Sequence, residues 1–167
     1  MPVPNFEPKT ASDRKDVQTP PDSGKIGTGR LRMPTIGWWA FAGWFIALYV
    51  LSSIPGKHFG ETPFTWADKS VHFVLFFSGA VPFTLALLGT LRLPVAVCGL
   101  LAWGAMVAVG VLDEYHQLFT PGRSGMDRGD ICADAIGAAI GVACVCFFHA
   151  RRRANTNRRA AGADRAA

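Results

Sequence analysis

Charged residues are scarce in this 167-residue sequence: they account for 17% of the chain, whereas apolar residues account for 50%. Soluble domains carry about 25% charged residues. The apolar residues also collect into four blocks, each close to the roughly 20 residues that a helix needs to cross a bilayer. A soluble fold would need shorter, patterned apolar segments, so the composition indicates an integral membrane protein.

The sequence has few cysteines and no compact metal-binding motif. Its four cysteines lie within the apolar blocks without CxxC spacing, so we expect small buried hydrophobic residues rather than disulfides. No HExxH motif occurs, and we therefore expect no metal and no other cofactor. A metal held by His72, His116 and carboxylates is the alternative that the histidines leave open.

The apolar blocks predict the fold class, and they cover residues 35–53, 70–89, 93–112 and 131–149. Segments of this length without strict alternation are too long for barrel strands, and a helix satisfies its own backbone hydrogen bonds in lipid. We predict an all-α polytopic membrane protein, a four-transmembrane-helix bundle over residues 35–149. The polar, proline-rich residues 1–34 lack the pattern of a cleavable signal peptide, and we expect a disordered tail there.

The distribution of Lys and Arg predicts the orientation. The amino tail, the link at 90–92 and the carboxyl tail 150–167 hold ten of these residues near the spans, whereas the other two loops hold four. By the positive-inside rule, both termini are expected in the cytoplasm. The basic carboxyl tail is then an anchor that meets anionic lipid headgroups, and we expect no nucleic-acid partner.

With this topology, the end of helix 3 and the starts of helices 2 and 4 share the outer leaflet. Polar residues are concentrated at these three ends, and spacings of four residues place Asp68 with His72, and Asp113 with Gln117, on one helix face each. We expect them to converge on one extracytoplasmic patch. The residues are Asp68, Lys69, His72, Asp113, Glu114, His116, Gln117, Arg123, Asp127, Asp130 and Asp134.

Each of these side chains has a structural interpretation beside a functional one. Asp68 is suited to cap helix 2, and Asp127 or Asp130 to cap helix 4, while Lys69 is long enough to reach lipid headgroups. Arg123 suits bidentate binding of a phosphate or a carboxylate, with an internal ion pair as the alternative.

His72 and Glu114 are the candidates for proton transfer, because a carboxylic acid or an imidazole beside an apolar wall can act as a general acid or base. For His72, a hydrogen-bonded packing role is the alternative. Gly137 and Gly141 form a GxxxG pair, which indicates close approach of another helix, either within this chain or in a homodimer.

Four stretches carry a resemblance to a known family: LSSIPG (51–56), DKSVHF (68–73), DEYHQLFTPGR (113–123) and GDICADAIGAAIG (129–141). In this order they resemble the VanZ-like bacterial membrane proteins, over residues 36–148. The resemblance implies a bacterial envelope protein, and the namesake of the family is associated with low-level teicoplanin resistance, without an established reaction. Position by position it singles out Asp68, Lys69, His72, Glu114, Gln117, Arg123, Asp130 and Asp134. Many members carry asparagine at the last of these positions.

Three functions are compatible with these features. The first is an outward-facing polar cavity that binds, or binds and modifies, an anionic envelope component such as a lipid phosphate or a peptide carboxylate. The second is a structural or interaction protein whose polar cluster only locks the helix ends together. The third is transport of a small solute or of protons, for which four spans in one chain are few.

Overall fold

The computed structural model describes residues 32–58, 66–163 and 165, which are helical apart from short connections. Its helices are α1 (Arg32–Ser52), α2 (Ala67–Thr90), α3 (Val95–Gln117) and α4 (Arg128–Ala163), with one turn of 3-10 helix at Gly56–His58. All four long helices are apolar enough to cross a membrane. The prediction of an all-α bundle with four membrane-spanning helices is confirmed, while most of the predicted tail, residues 1–31, lies outside the described residues.

All four helices are longer than the apolar blocks predicted, and α3 and α4 extend furthest beyond them. Helix α3 continues from the predicted end at residue 112 to Gln117, because its last polar residues still lie on the buried face of the helix. Helix α4 begins at Arg128 and continues past residue 149 to Ala163. Arginine and alanine favour helix, so the helix continues where the sequence ceases to be apolar.

Helices α2 and α4 form the centre of the bundle. They pack most extensively against each other, while α1 packs on α2, and α3 packs on α4. The core between them contains many small side chains, among them Ala80, Ala102 and Ala138, together with Phe76 and Met106. Small residues permit close approach of helices in a membrane, where dispersion contacts rather than water exclusion hold helices together.

The outer surface of the bundle is apolar. Each helix exposes large hydrophobic side chains, such as Trp39 on α1 (75% exposed), Val74 on α2, Leu100 on α3 and Phe148 on α4. A soluble protein of this size could not leave so many apolar side chains in water, so these surfaces are suited to contact lipid. All four cysteines are free; Cys98 is buried as predicted, but Cys132 and Cys144 lie on exposed faces.

The two glycines of the GxxxG pair account for the contact between α2 and α4. A Cβ atom on Gly137 would lie 2.2 Å from the Phe73 carbonyl oxygen, and one on Gly141 would lie 2.7 Å from that of Phe77. Both glycines are buried against α2. The internal-packing interpretation is therefore the one that the structure shows. Gly137 and Gly141 are not available for a homodimer contact, because α2 already covers both positions.

We predict that Gly137→Ala destabilises the protein by about 1–3 kcal/mol, because its methyl group forces α4 away from α2. The matched control is Gly104→Ala on α3, where a Cβ atom would meet nothing within 4 Å. This control should leave stability unchanged or slightly raised, since alanine favours helix. Thermal unfolding of both variants in detergent measures the difference, and equal stability of the two would contradict the packing argument.

Candidate functional site

Buried polar side chains gather where α1 and α3 end and α2 and α4 begin. Ionisable groups within a membrane cost free energy unless they are paired, so their interactions define the site. The polar cluster is defined here as Ser52, His72, Asp113, Glu114, Gln117, Thr120, Asp130 and Asp134, all of them buried. The predicted convergence of residues from three helix ends is thus present, and α1 contributes a fourth.

Lys69 connects α2 to the start of α4. Its ammonium donates to Asp127 Oδ2 at 2.9 Å and to Asp130 Oδ1 at 3.0 Å. Lys69 therefore forms ion pairs within the protein, and the interpretation that it reaches out to lipid headgroups is wrong. Asp127 also caps α4, since its Oδ1 accepts the Gly129 N–H at 2.7 Å and its carbonyl accepts the Ile131 N–H.

His72 lies between two carboxylates. Its Nδ1 is 3.1 Å from Asp134 Oδ1, and its Nε2 is 3.9 Å from Glu114 Oε1. The other Glu114 oxygen, Oε2, accepts the backbone N–H of Asp127 at 2.9 Å. Glu114 is completely buried, and its Oε1 has no hydrogen-bond partner among the described residues, as is also true of Asp134 Oδ2. The two predicted proton-transfer candidates therefore face each other.

A chain of hydrogen bonds connects α1, α3 and the following loop. Ser52 Oγ donates to Asp113 Oδ1 at 2.5 Å, and Gln117 Nε2 donates to Asp113 Oδ2 at 2.9 Å. Gln117 Oε1 in turn accepts from Arg123 Nε at 3.2 Å. Ser52 was not among the predicted site residues; its place in the LSSIPG stretch was the signal that could have found it.

The loop between α3 and α4 is held over the end of α1. The Gly56 N–H donates to the Pro121 carbonyl at 3.0 Å, and Thr120 Oγ1 donates to the Ser52 carbonyl at 3.0 Å. A Cβ atom on Gly56 would overlap the carbonyl of Gly122, and Gly122 itself has a φ of +75°, which favours glycine. These contacts position Arg123 beside α3.

One predicted residue, His116, lies elsewhere, and another, Asp68, does not have its predicted capping role. His116 faces α1, where its ring contacts Tyr49 and its Nε2 lies 3.1 Å from Ser53 Oγ, so it is not part of the polar cluster. The alternative of a metal held by His72 together with His116 is therefore wrong. Asp68 does not cap α2, because the cap position is Trp66 and no side chain caps it.

A cavity of about 190 Å³ opens beside the polar cluster. One part of its wall is apolar, formed by Leu51, Val71 and Leu75 together with Ala67. The other part carries the polar groups Ser52, Asp68, His72, Asp113, Gln117 and Arg123. Four of the eight predicted site residues, Asp68, His72, Gln117 and Arg123, thus line this cavity, while Glu114 is completely buried.

A second cavity, also of about 190 Å³, lies between α1 and α3 and is almost entirely apolar. Phe45, Leu48, Val109 and Leu112 form most of its wall. Asp113 lines both cavities. Asp113 is therefore the residue at which the apolar groove and the first cavity adjoin.

Two groups of side chains in the described part of the chain have the spacing of metal ligands. One is Asp68, His72 and Asp130, and the other is His72, Asp113 and Glu114; in each group the ligand atoms lie within 4.8 Å of one another. Histidine nitrogen and carboxylate oxygen are both common ligands of divalent cations. The prediction that no metal binds thus stays a prediction.

The fold and the site together define a multi-pass integral membrane protein with a buried polar and charged cluster at one end of its bundle. The chain belongs to the VanZ/LLP1 family, whose model matches residues 29–149. The predicted family resemblance is confirmed over this range. No curated protein and no solved structure matches the chain.

The ion pair at the start of α4 predicts a dependence of stability on pH. The Lys69 ammonium, together with the Gly129 N–H, holds the pKa of the Asp127 carboxyl below its ordinary value. A carboxyl with a lowered pKa in the folded state stabilises the fold above its ordinary pKa, and this contribution is lost as the pH falls through the lowered value.

We predict that Asp127→Asn is less stable than the wild type near neutral pH, by at most about 1 kcal/mol because the pair is partly exposed. Asparagine can also cap the helix, so the variant removes only the negative charge. The difference should shrink as the pH is lowered towards about 3. Thermal unfolding in detergent at several pH values measures it, and a difference independent of pH would contradict the role of the ion pair.

Proposed function

We propose that this protein binds an amphiphilic, anionic component of the bacterial envelope in the cavity beside the polar cluster. The ligand class is a molecule with an acyl chain and a phosphate or carboxylate headgroup. The observation that carries the proposal is the division of the cavity wall into an apolar part and a polar part. Such a wall suits a ligand that is itself apolar at one end and polar at the other.

Arg123 is the residue proposed to bind the anion. It lines the cavity, and its planar guanidinium suits the bidentate binding of a phosphate or a carboxylate. Lys69, the other predicted cation of the site, already neutralises Asp127 and Asp130. Binding an anion to Lys69 would require these ion pairs to break. We therefore propose that Lys69 stabilises the site through its ion pairs and does not bind the ligand.

The apolar groove between α1 and α3 supports an acyl chain as the second half of the ligand. Its wall is formed mostly by Phe45, Leu48, Val109 and Leu112, of which Phe45 and Leu112 are exposed at the surface of the bundle. Because Asp113 lines both spaces, a chain in the groove would end beside the polar wall of the cavity. One molecule could then occupy both spaces.

His72 is the residue best situated to exchange a proton with a bound ligand, since it lines the cavity and lies beside Asp134 and Glu114. Glu114 is completely buried, so it would act on a ligand only through His72. We propose binding as the function and leave proton transfer by this pair as a prediction.

We also propose a location and an orientation. The protein crosses the bacterial plasma membrane several times, with both termini in the cytoplasm and the cavity facing outward. The ten Lys and Arg residues on the amino and carboxyl side of the bundle support it, against four on the side of the cavity. An outward cavity at the membrane interface would meet envelope components directly.

The headgroup site is tested with a fluorescent short-chain phosphatidic acid, added to the full-length protein in detergent. Arg123→Gln should weaken its binding about 10–100-fold, which corresponds to the loss of a charge-assisted hydrogen-bond pair. The matched control is Arg128→Gln, which removes the same charge from an exposed position at the start of α4. Phosphatidylcholine with the same chains should bind weakly to all three proteins.

Equal binding of phosphatidic acid by Arg123→Gln and Arg128→Gln would contradict the headgroup site. The structural alternative, in which the polar cluster only locks the helix ends, is supported by its bonds between helices, such as those of Ser52 with Asp113 and of Lys69 with Asp130. It predicts that Arg123→Gln lowers the thermal unfolding temperature without a separate effect on binding, so both are measured on the same samples.

The orientation is tested with single cysteines in a background that lacks the four native ones. Ser124→Cys lies exposed in the loop between α3 and α4, and Asn155→Cys lies exposed on the basic end of α4. A maleimide that cannot cross membranes should label Ser124→Cys in intact cells and Asn155→Cys only after permeabilisation. The reverse pattern would overturn the outward orientation.

A further inference from the structure

We infer that His72, Asp113 and Glu114 form a binding site for one divalent cation at the centre of the polar cluster. All three side chains are buried, and their ligand atoms lie within 4.8 Å of one another. The inference goes beyond the proposed lipid binding and does not depend on it.

The distance between His72 and Glu114 fits a shared cation. Nε2 and Oε1 are 3.9 Å apart, which is too long for a hydrogen bond. Two ligands that each lie about 2.0–2.2 Å from one ion can be separated by at most about 4.4 Å. The gap between the two atoms is therefore of the size that a bound cation spans.

Glu114 Oε1 provides an independent indication of a ligand. The side chain is completely buried, and within residues 32–58 and 66–163 this oxygen has no hydrogen-bond partner. Its other oxygen is held by the Asp127 N–H at 2.9 Å, which directs Oε1 towards His72. A buried carboxylate oxygen without a donor is costly, and a cation removes that cost.

Hydrogen bonds from neighbouring side chains orient the proposed metal ligands. Asp134 Oδ1 lies 3.1 Å from His72 Nδ1, where it can accept a proton held on Nδ1, and this tautomer would offer the Nε2 lone pair to a cation beside Glu114. This carboxylate–histidine arrangement orients the imidazole in many metal sites. Asp113 is fixed in the same way by the hydroxyl of Ser52 and the amide of Gln117.

The other group with metal-ligand spacing, Asp68, His72 and Asp130, is less suited to a cation. Asp130 Oδ1 is bound by the Lys69 ammonium at 3.0 Å, which would repel a second positive charge. Asp68 is exposed and can be solvated instead. We therefore assign the site to the buried group.

The ligand chemistry indicates the class of cation. One imidazole nitrogen with two carboxylates suits a first-row transition metal such as Zn²⁺ or Mn²⁺ better than Ca²⁺, which prefers oxygen ligands alone. His72 and Asp113 line the cavity, which gives the ion a route to the site. A cation there would also reduce the negative charge that the acidic side chains of the cavity present to an anionic headgroup.

The test uses the full-length protein in detergent, stripped of metal with a chelator and dialysed against Zn²⁺ or Mn²⁺ without added lipid. Elemental mass spectrometry should find about one equivalent of metal in the wild type, and binding should raise its thermal unfolding temperature. Glu114→Gln, which keeps the shape but loses the charge, should lower the affinity more than about tenfold, as should Asp113→Asn.

Asp127→Asn is the matched control, because it removes a carboxylate that is no ligand of the proposed site and keeps the backbone N–H that holds Glu114 Oε2. Its affinity for metal should stay within about threefold of the wild type. If Glu114→Gln does not fold, Asp113→Asn decides. Absence of stoichiometric metal in the wild type, unchanged affinity in both ligand variants, or an equal loss in Asp127→Asn would each overturn the site.

Discussion

The close parallel contact of α2 with α4 is the constraint on which the rest of the structure depends. The carbonyls of Phe73 and Phe77 lie where side chains at positions 137 and 141 would otherwise be. One turn away from this contact, the same register brings His72 to Asp134 and Lys69 to Asp130. A shift of α4 by one turn would separate both pairs at once. The close helix contact that the two glycines permit therefore determines which charged side chains pair at the end of the bundle.

The polar cluster follows from the cost of charge in a low-dielectric environment. Lys69 is neutralised by two aspartates, and Asp113 accepts two hydrogen bonds from neutral donors. Towards the centre the pairing is incomplete, since Glu114 Oε1 and Asp134 Oδ2 have no hydrogen-bond partner in the part of the chain that the structure describes. Buried polar atoms in folded proteins are rarely left in this state without a reason in binding or chemistry. The chemical interest of the site thus lies with His72 and the carboxylates around it rather than with the ion pairs of Lys69.

Much of the fold was predictable from the sequence, because apolar length alone defines a membrane span. That criterion could not locate the polar end of α3 at Gln117 or the basic end of α4 at Ala163, since both continue as helix after the apolar residues stop. Spacing within one helix correctly joined Asp113 with Gln117, but it could not say which way His116 faces. Pairings between helices, such as Ser52 with Asp113, depend on the rotation of each helix about its axis. The sequence does not reveal this rotation, because the helices are apolar on all their faces.

The sequence separation of the polar pairs determines the order in which the site can be assembled during synthesis. Lys69 and His72 meet partners 58, 61 and 62 residues further along the chain. When α2 enters the bilayer, these partners have not yet entered it, because they belong to α4 and the residue before it. The ammonium of Lys69 and the imidazole of His72 therefore lack these partners until the final helix is inserted, and ionisable groups within a membrane cost free energy while they are unpaired.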